Sequence, residues 1–203
     1  EGPNTGGMGA YSPLPWAQKD LVDVVVKQIG QPVIDFMHER GTPFSGLLFV
    51  GLAITSKGPK VIEFNARFGD PETQVVLSRL KTPLAGVLYA AATGRLNQLE
   101  PLEWSDESAV TVVVASEKYP DAPVLGDLIN GLDRANSLPN VKVFHAGTAS
   151  RAGEIVTAGG RVLSVTATGS DLKTARARAY EAVGQISIRG AHFRTDIAAK
   201  AAN

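Results

Sequence analysis

Apolar residues recur at intervals of three and four between Leu21 and Met37, through Val24, Val25, Ile29, Val33 and Phe36. That period predicts a helix over 17–40, kinked or split at Gly30 and Pro32 and stopped at Gly41. The stretch before it, residues 1–16, carries four glycines and three prolines and reads as loop. After Gly41 the period shortens. Two strand-like runs, 46–55 and 60–66, flank Ser56-Lys-Gly-Pro59 and predict a hairpin. Gly69-Asp-Pro71 interrupts regular structure, and helices are expected over 72–80 and over 83–93, the second ending at Gly94.

Residues 97–107, around Asn97-Gln-Leu-Glu-Pro101, read as a linker, and the pattern beyond them turns β-rich. Strands are expected over 109–115 and 141–145. Two more, 154–157 and 161–168, flank Ala158-Gly-Gly160 and suggest a second hairpin. Ser170 is placed to cap a helix over 171–187, with Leu172, Ala175, Ala179, Ala182, Val183 and Ile186 on one face. The whole reads as an α+β chain of two units, 1–96 and 97–203.

Composition narrows the function classes. Of 203 residues, 44% are apolar and 20% charged, and 20 Lys plus Arg balance 20 Asp plus Glu. This is the balance of an ordinary globular protein. It argues against an extended nucleic-acid surface, which needs clustered cations, but leaves room for a local phosphate site. There are no cysteines, which removes disulfides, thiolate zinc sites and cysteine nucleophiles. No apolar run approaches the roughly 20 residues that span a bilayer, and no signal-peptide pattern is present, so a cytoplasmic protein is expected. Glu1 leads at once into the glycine-rich Gly2-Pro-Asn-Thr-Gly-Gly-Met-Gly9. A loop of this kind needs flanking elements, so the chain reads as a fragment of a larger protein.

The run 60–66 holds the first candidate chemistry. Alternation puts Val61, Glu63 and Asn65 on one face and Ile62, Phe64 and Ala66 on the other, an apolar face suited to a core. Glu63 and Asn65 then offer two hard oxygens roughly 6.5–7 Å apart along the strand. Magnesium bound to nucleotide phosphates takes one or two such protein oxygens. A strand end with two solvated polar residues is the plainer alternative. Arg67, Asp70 and Glu72 follow closely. An arginine fork can grip carboxylate or phosphate, and an acid can receive an amine; an Arg67–Asp70 ion pair that merely steadies a surface turn accounts for the same residues. The glycine-rich loop is a second candidate: Gly6 and Gly7 would let backbone N–H groups approach an anion, with Asn4 and Thr5 adding polar side chains. No lysine follows these glycines, and an ordinary turn explains them equally. His145 and Arg161 sit beside turns and carry no evident role.

Taken together these residues resemble a known family. Arg67-Phe-Gly-Asp-Pro-Glu-Thr-Gln74 is similar to the signature of the glycinamide ribonucleotide synthetases, the phosphoribosylamine–glycine ligases. Pro3-Asn-Thr-Gly-Gly-Met-Gly-Ala-Tyr11 resembles the family's glycine-rich loop, and Gly41-Thr-Pro-Phe-Ser-Gly46 its approach to the hairpin. Phe144-His-Ala-Gly-Thr148, Gly159-Gly-Arg-Val-Leu163 and Gly190-Ala-His-Phe-Arg-Thr-Asp-Ile197 resemble its C-terminal part, in the family's order.

The resemblance implies the second half of an ATP-grasp domain followed by a small mixed-β domain with a packed helix. It implies ATP-dependent joining of glycine to 5-phosphoribosylamine through a glycyl phosphate. Mg2+ or Mn2+ would sit on Glu63 and Asn65. Asn4, Thr5, Gly6, Gly7, Arg67, Asp70 and Glu72 would line the substrate side, with Arg67 and Asp70 the catalytic candidates. The expected partners are ATP and the two other substrates, together with the N-terminal half of the same enzyme; no nucleic acid and no membrane are expected. Two alternatives stand beside this reading. One is another ATP-grasp carboxylate–amine ligase, which would lack the run Arg67-Phe-Gly-Asp-Pro-Glu72. The other is a non-catalytic interaction fragment.

Overall fold

The computed structural model describes residues 6–202. In chain order the elements are β1 (Gly9–Ser12), α1 (Leu21–Val25), a π-helical stretch (Val26–Gly30), α2 (Gln31–Glu39), β2 (Phe49–Thr55), β3 (Gly58–Asn65), α3 (Glu72–Arg79) and α4 (Leu84–Ala92). A short 3-10 turn (Leu96–Gln98) leads to β4 (Ser108–Ala115), α5 (Leu132–Asn136), β5 (Val141–His145), β6 (Thr148–Arg151), β7 (Glu154–Thr157), β8 (Arg161–Gly169) and α6 (Leu172–Val183). Asn4 and Thr5 lie outside the described residues. The chain divides into two compact units that interleave in sequence: residues 1–14, 70–79 and 105–203 form the first, and 15–69 with 80–104 form the second.

The first unit is built on an antiparallel sheet in the order β1-β4-β8-β5. All eight residues of β4 are buried. Val110, Val112 and Val114 join Val143, Leu163, Val165 and Ala167 in one cluster with Leu172, Ala175, Ala179, Ala182 and Val183 of α6. Removing each such valine or leucine from water contributes about 1.5–3 kcal/mol. The alternate residues serve the opposite face, where the buried Thr111 and Thr166 hydroxyls bond at 2.8 Å and α3 packs. β1 was not expected, since Gly9-Ala-Tyr-Ser12 falls in the presumed loop. Its cause is β4: Gly9 pairs with Val112, and a side chain at Gly9 would collide with Thr111 O and Ile197.

Two further expectations change in this unit. β7 pairs with β6, not β8. Ala152 and Gly153, with φ of 52° and 85°, make the tight turn between β6 and β7. Residues 158–160 are instead a crossing, where Gly159 lies so close to Gly147 that a Cβ on Gly147 would come within 2.7 Å of the Gly159 Cα. The cap of α6 is Asp171, which accepts from the Thr174 N–H at 2.7 Å; Ser170 donates to Asp171 instead, and the helix ends at Val183. The Thr174 N–H also holds the Asp171 carboxyl below its ordinary pKa.

In the second unit, the helix expected over 17–40 is α1 and α2 joined through the π-helical turn ending at Gly30. Pro32 supplies no N–H, and the wider turn before it absorbs the interruption. The β2–β3 hairpin turns on Ser56-Lys57, with Thr55 opposite Gly58, so Gly58 and Pro59 belong to the strand. The segment expected as a linker runs back beside α4's approach: the Lys81 N–H donates to Glu103 O, and Leu80 bridges Trp104. Ala90 is the one buried apolar residue of this unit among the described residues.

Candidate functional site

The second unit carries the paired oxygens. A bulge in the β2–β3 ladder sets Gly51 opposite Glu63 and Leu52 opposite Val61, leaving Ile62 as the extra residue. Gly51 and Leu52 are consecutive and point to opposite faces, so Val61 is turned away from Glu63; simple alternation had placed them together. Glu63 and Asn65 keep a common face. The Asn65 amide donates to Glu63 Oε1 at 3.1 Å. Gly51 leaves room for the stem, since a Cβ there would meet Glu63 Cγ at 3.0 Å. The apolar face expected to enter a core is open: Ile62 is 69% exposed, and Phe64 and Ala66 are exposed as well.

Two adjacent oxygen-bearing side chains fit a cation that takes its remaining ligands from phosphates and water. They do not make a protein cage, and among the described residues no group of three or more His, Asp or Glu that could hold a metal ion is found. Turning the Asn65 amide over would present its oxygen beside the carboxylate. Arg67 donates to the neighbouring Phe68 carbonyl at 2.9 Å.

The first unit carries Gly6, Gly7, Asp70 and Glu72. Gly6 and Gly7 both have positive φ, 65° and 80°. A Cβ on Gly7 would strike Pro71 Cδ at 2.6 Å, and one on Gly6 would come 3.1 Å from the Tyr119 hydroxyl. The glycines are thus required by close approach as well as by conformation. Tyr119 lies against Gly160, where a Cβ would come 2.2 Å from its ring, and stacks on His192. Glu72 opens α3, where an acidic side chain suits the helix N-terminus.

The ion pair at Asp70 is made by Arg161, a partner the sequence did not indicate; the Arg67–Asp70 pair considered earlier is not what the structure shows. Arg161 Nη2 lies 3.1 Å from Asp70 Oδ2, and Arg161 Nη1 donates to the carbonyls of Asp70 at 2.9 Å and Gly7 at 3.2 Å. Gln74 Nε2 donates to Asp70 Oδ1 at 3.0 Å and to Ser164 Oγ at 3.3 Å. Gln74 closes the signature run 67–74, whose pattern alone assigns it no role. Only a contact map across more than ninety residues of sequence could have paired Asp70 with Arg161. His145 is accounted for locally: its Nδ1 meets Thr148 Oγ1 at 3.1 Å across the β5–β6 turn.

An α+β chain with a glycine turn, an acid–amide pair at a strand end and an antiparallel sheet to which both ends of the chain contribute is a portion of an ATP-grasp protein. Two domain models of one family match in order: phosphoribosylglycinamide synthetase, ATP-grasp (A) domain, over residues 1–73, and phosphoribosylglycinamide synthetase, C domain, over 109–200. The chain belongs to the phosphoribosylglycinamide synthetase family. It is 68% identical to a phosphoribosylamine–glycine ligase of Streptomyces coelicolor, covering 100% of this chain and 49% of that protein. With the corresponding protein of Corynebacterium ammoniagenes the figures are 55%, 97% and 46%. A crystal structure of phosphoribosylamine–glycine ligase from Thermotoga maritima superposes with a TM-score of 0.84 at 32% identity, over 97% of this chain and 48% of that one. The biotin carboxylase domain of Hydrogenobacter thermophilus 2-oxoglutarate carboxylase shares the fold, with a TM-score of 0.61 at 17% identity over 92% of this chain and 40% of that one. The chain therefore spans about half the length of the curated relatives it matches. Among the described residues no helix is long and apolar enough to cross a membrane.

Proposed function

We propose that the full-length protein carrying this segment is an ATP-dependent carbon–nitrogen ligase of purine biosynthesis, working in the cytoplasm. It joins glycine to 5-phosphoribosylamine and releases ADP and phosphate. The observation that carries this reading is the Glu63–Asn65 pair ending β3 and running directly into Arg67 and Asp70, in a chain 68% identical to a protein of that name.

Glycine's carboxylate is a poor electrophile. Transfer of the γ-phosphoryl group of ATP to a carboxylate oxygen gives glycyl phosphate and ADP. The sugar amine then attacks the carbonyl carbon, phosphate leaves with the C–O bond pair, and the amine loses its proton. Such transfer depends on positioning and charge compensation rather than on an enzyme nucleophile, which suits a chain without cysteine. Bound Mg2+ or Mn2+ would neutralise charge on the phosphoryl oxygens. Glu63 and Asn65 would hold it. Arg67 would grip glycine's carboxylate, Asp70 would receive an amine, and Gly6 and Gly7, with Asn4, Thr5 and Glu72, would contact substrate. The exposed apolar residues Ile62 and Phe64 support a further partner, the N-terminal half of the same enzyme, as the chain that covers them.

Glu63→Gln in the full-length protein removes one charge at the metal pair and keeps the side-chain shape. Turnover at saturating ATP should fall by about a hundredfold or more, partly recovered by raising Mg2+. The assay is ADP release with glycine and 5-phosphoribosylamine both present. Unchanged turnover at limiting Mg2+, or ADP release that ignores the omission of glycine, would overturn the reading.

A further inference from the structure

We infer that Arg161 is a positioning residue for the substrate side of the site, holding the Asp70 carboxylate and the Gly6–Gly7 turn in one arrangement. The inference rests on the proposed role of Asp70 and adds a residue to which nothing else assigns a function.

Three observations carry it. Arg161 touches both candidate features at once, through Gly7 O and through the carbonyl and carboxylate of Asp70. The two Asp70 oxygens are held separately, Oδ2 by Arg161 and Oδ1 by Gln74, which fixes the plane of the carboxylate as well as its place. Yet the Asp70 side chain stays 43% exposed while that of Arg161 is only 23% exposed. The acid is gripped from the protein side and presented to solvent. An ion pair so open adds little to folding, so stability alone is a weak reason for the arrangement.

The backbone of β8 is shaped to the same end. Arg161 lies opposite Ala115 while Leu163 lies opposite Val114, so Val162 is an extra residue in the ladder. In an unbroken strand, residues three apart point to opposite faces. The bulge brings Arg161 and Ser164 to the same side, where one meets Asp70 and the other meets Gln74. Arginine is the residue type required. Its planar fork reaches two carbonyls and a carboxylate together, whereas the single ammonium of lysine cannot span them.

The test is a double-mutant cycle in the full-length protein, with Arg161→Lys, Asp70→Asn and the pair, following KM for 5-phosphoribosylamine and glycine, KM for ATP, and kcat. Arg161→Lys retains charge and bulk, so folding is expected to survive. It should raise KM for one amine substrate about tenfold, leave KM for ATP within about twofold, and add almost nothing once Asp70 is already Asn. Arg161→Lys with unchanged kinetics, or effects that add independently to those of Asp70→Asn, would overturn the inference while leaving the proposed reaction intact. Wild-type behaviour of Asp70→Asn would instead remove the substrate role of Asp70, and the inference with it. Should Arg161→Lys prove insoluble, Gln74→Leu provides the second arm. It releases only Oδ1 of the same carboxylate and should show the same selective KM change, and its absence would count equally against positioning.

Discussion

A single carboxylate decides how α6 begins. Asp171 takes the cap because its oxygen reaches the Thr174 N–H, while Ser170, one residue earlier, can only brace it. That bond holds the Asp171 carboxyl below the ordinary aspartate range. A lowered folded-state value means that the stabilisation is fully present above the unfolded value and is lost as the pH falls through the folded one. Asp171→Ala should therefore melt a few degrees below the parent at pH 7, and the gap should close as the pH falls below the ordinary carboxylate range, followed by circular dichroism melts of both proteins. A gap unchanged down to pH 2 would show that the carboxylate is not the cause. Asp196 behaves in the same sense, since its Arg194 partner holds it well below the carboxylate range, so acid should weaken both C-terminal contacts together.

At the scale of elements, legibility followed distance along the chain. The hairpin β2–β3, the strands β4, β5 and β8 and the buried face of α6 are written in local periodicity, because side-chain alternation and the 3.6-residue turn act over a few neighbours. The Glu63–Asn65 pair was legible for the same reason. What escaped was set by distant partners. β1 exists because β4 offers it an edge, and Arg161 meets Asp70 because a bulge turns it there. The bulge at Ile62 likewise moved Val61 to the other face, which no alternating pattern announces. The β6–β7 hairpin was missed because its first turn residue is Ala152, in a left-handed conformation that alanine disfavours. Replacing Ala152 by Asn, which together with Gly153 suits this turn, should raise stability by about 0.5–1 kcal/mol in urea titrations. A loss of stability there would show that the turn is held from outside the hairpin.

At the scale of the molecule, the first unit is assembled from three separated stretches of sequence. A chain cut to residues 105–202 would match the C-domain boundary closely, yet it would lose β1 and α3. β4 would then offer an open row of N–H and C=O groups beside Thr111 and Val113, now uncovered, which is the kind of edge that pairs between molecules. The truncated chain should sediment as aggregate at concentrations where residues 1–203 stay monodisperse; a monodisperse fragment would show that β1 and α3 are dispensable. The same strand order bears on birth from the ribosome. β1 emerges before β4 and has no partner in the sheet until β4 has been made, and β4 in turn waits for β8. The sheet cannot close until β8 has emerged, and residues 15–69 and 80–104 are made between the strands it joins. Closure of this sheet is thus tied to synthesis of β8, and a ribosome stalled before it would leave the Asp70 segment without the Arg161 side chain that holds it.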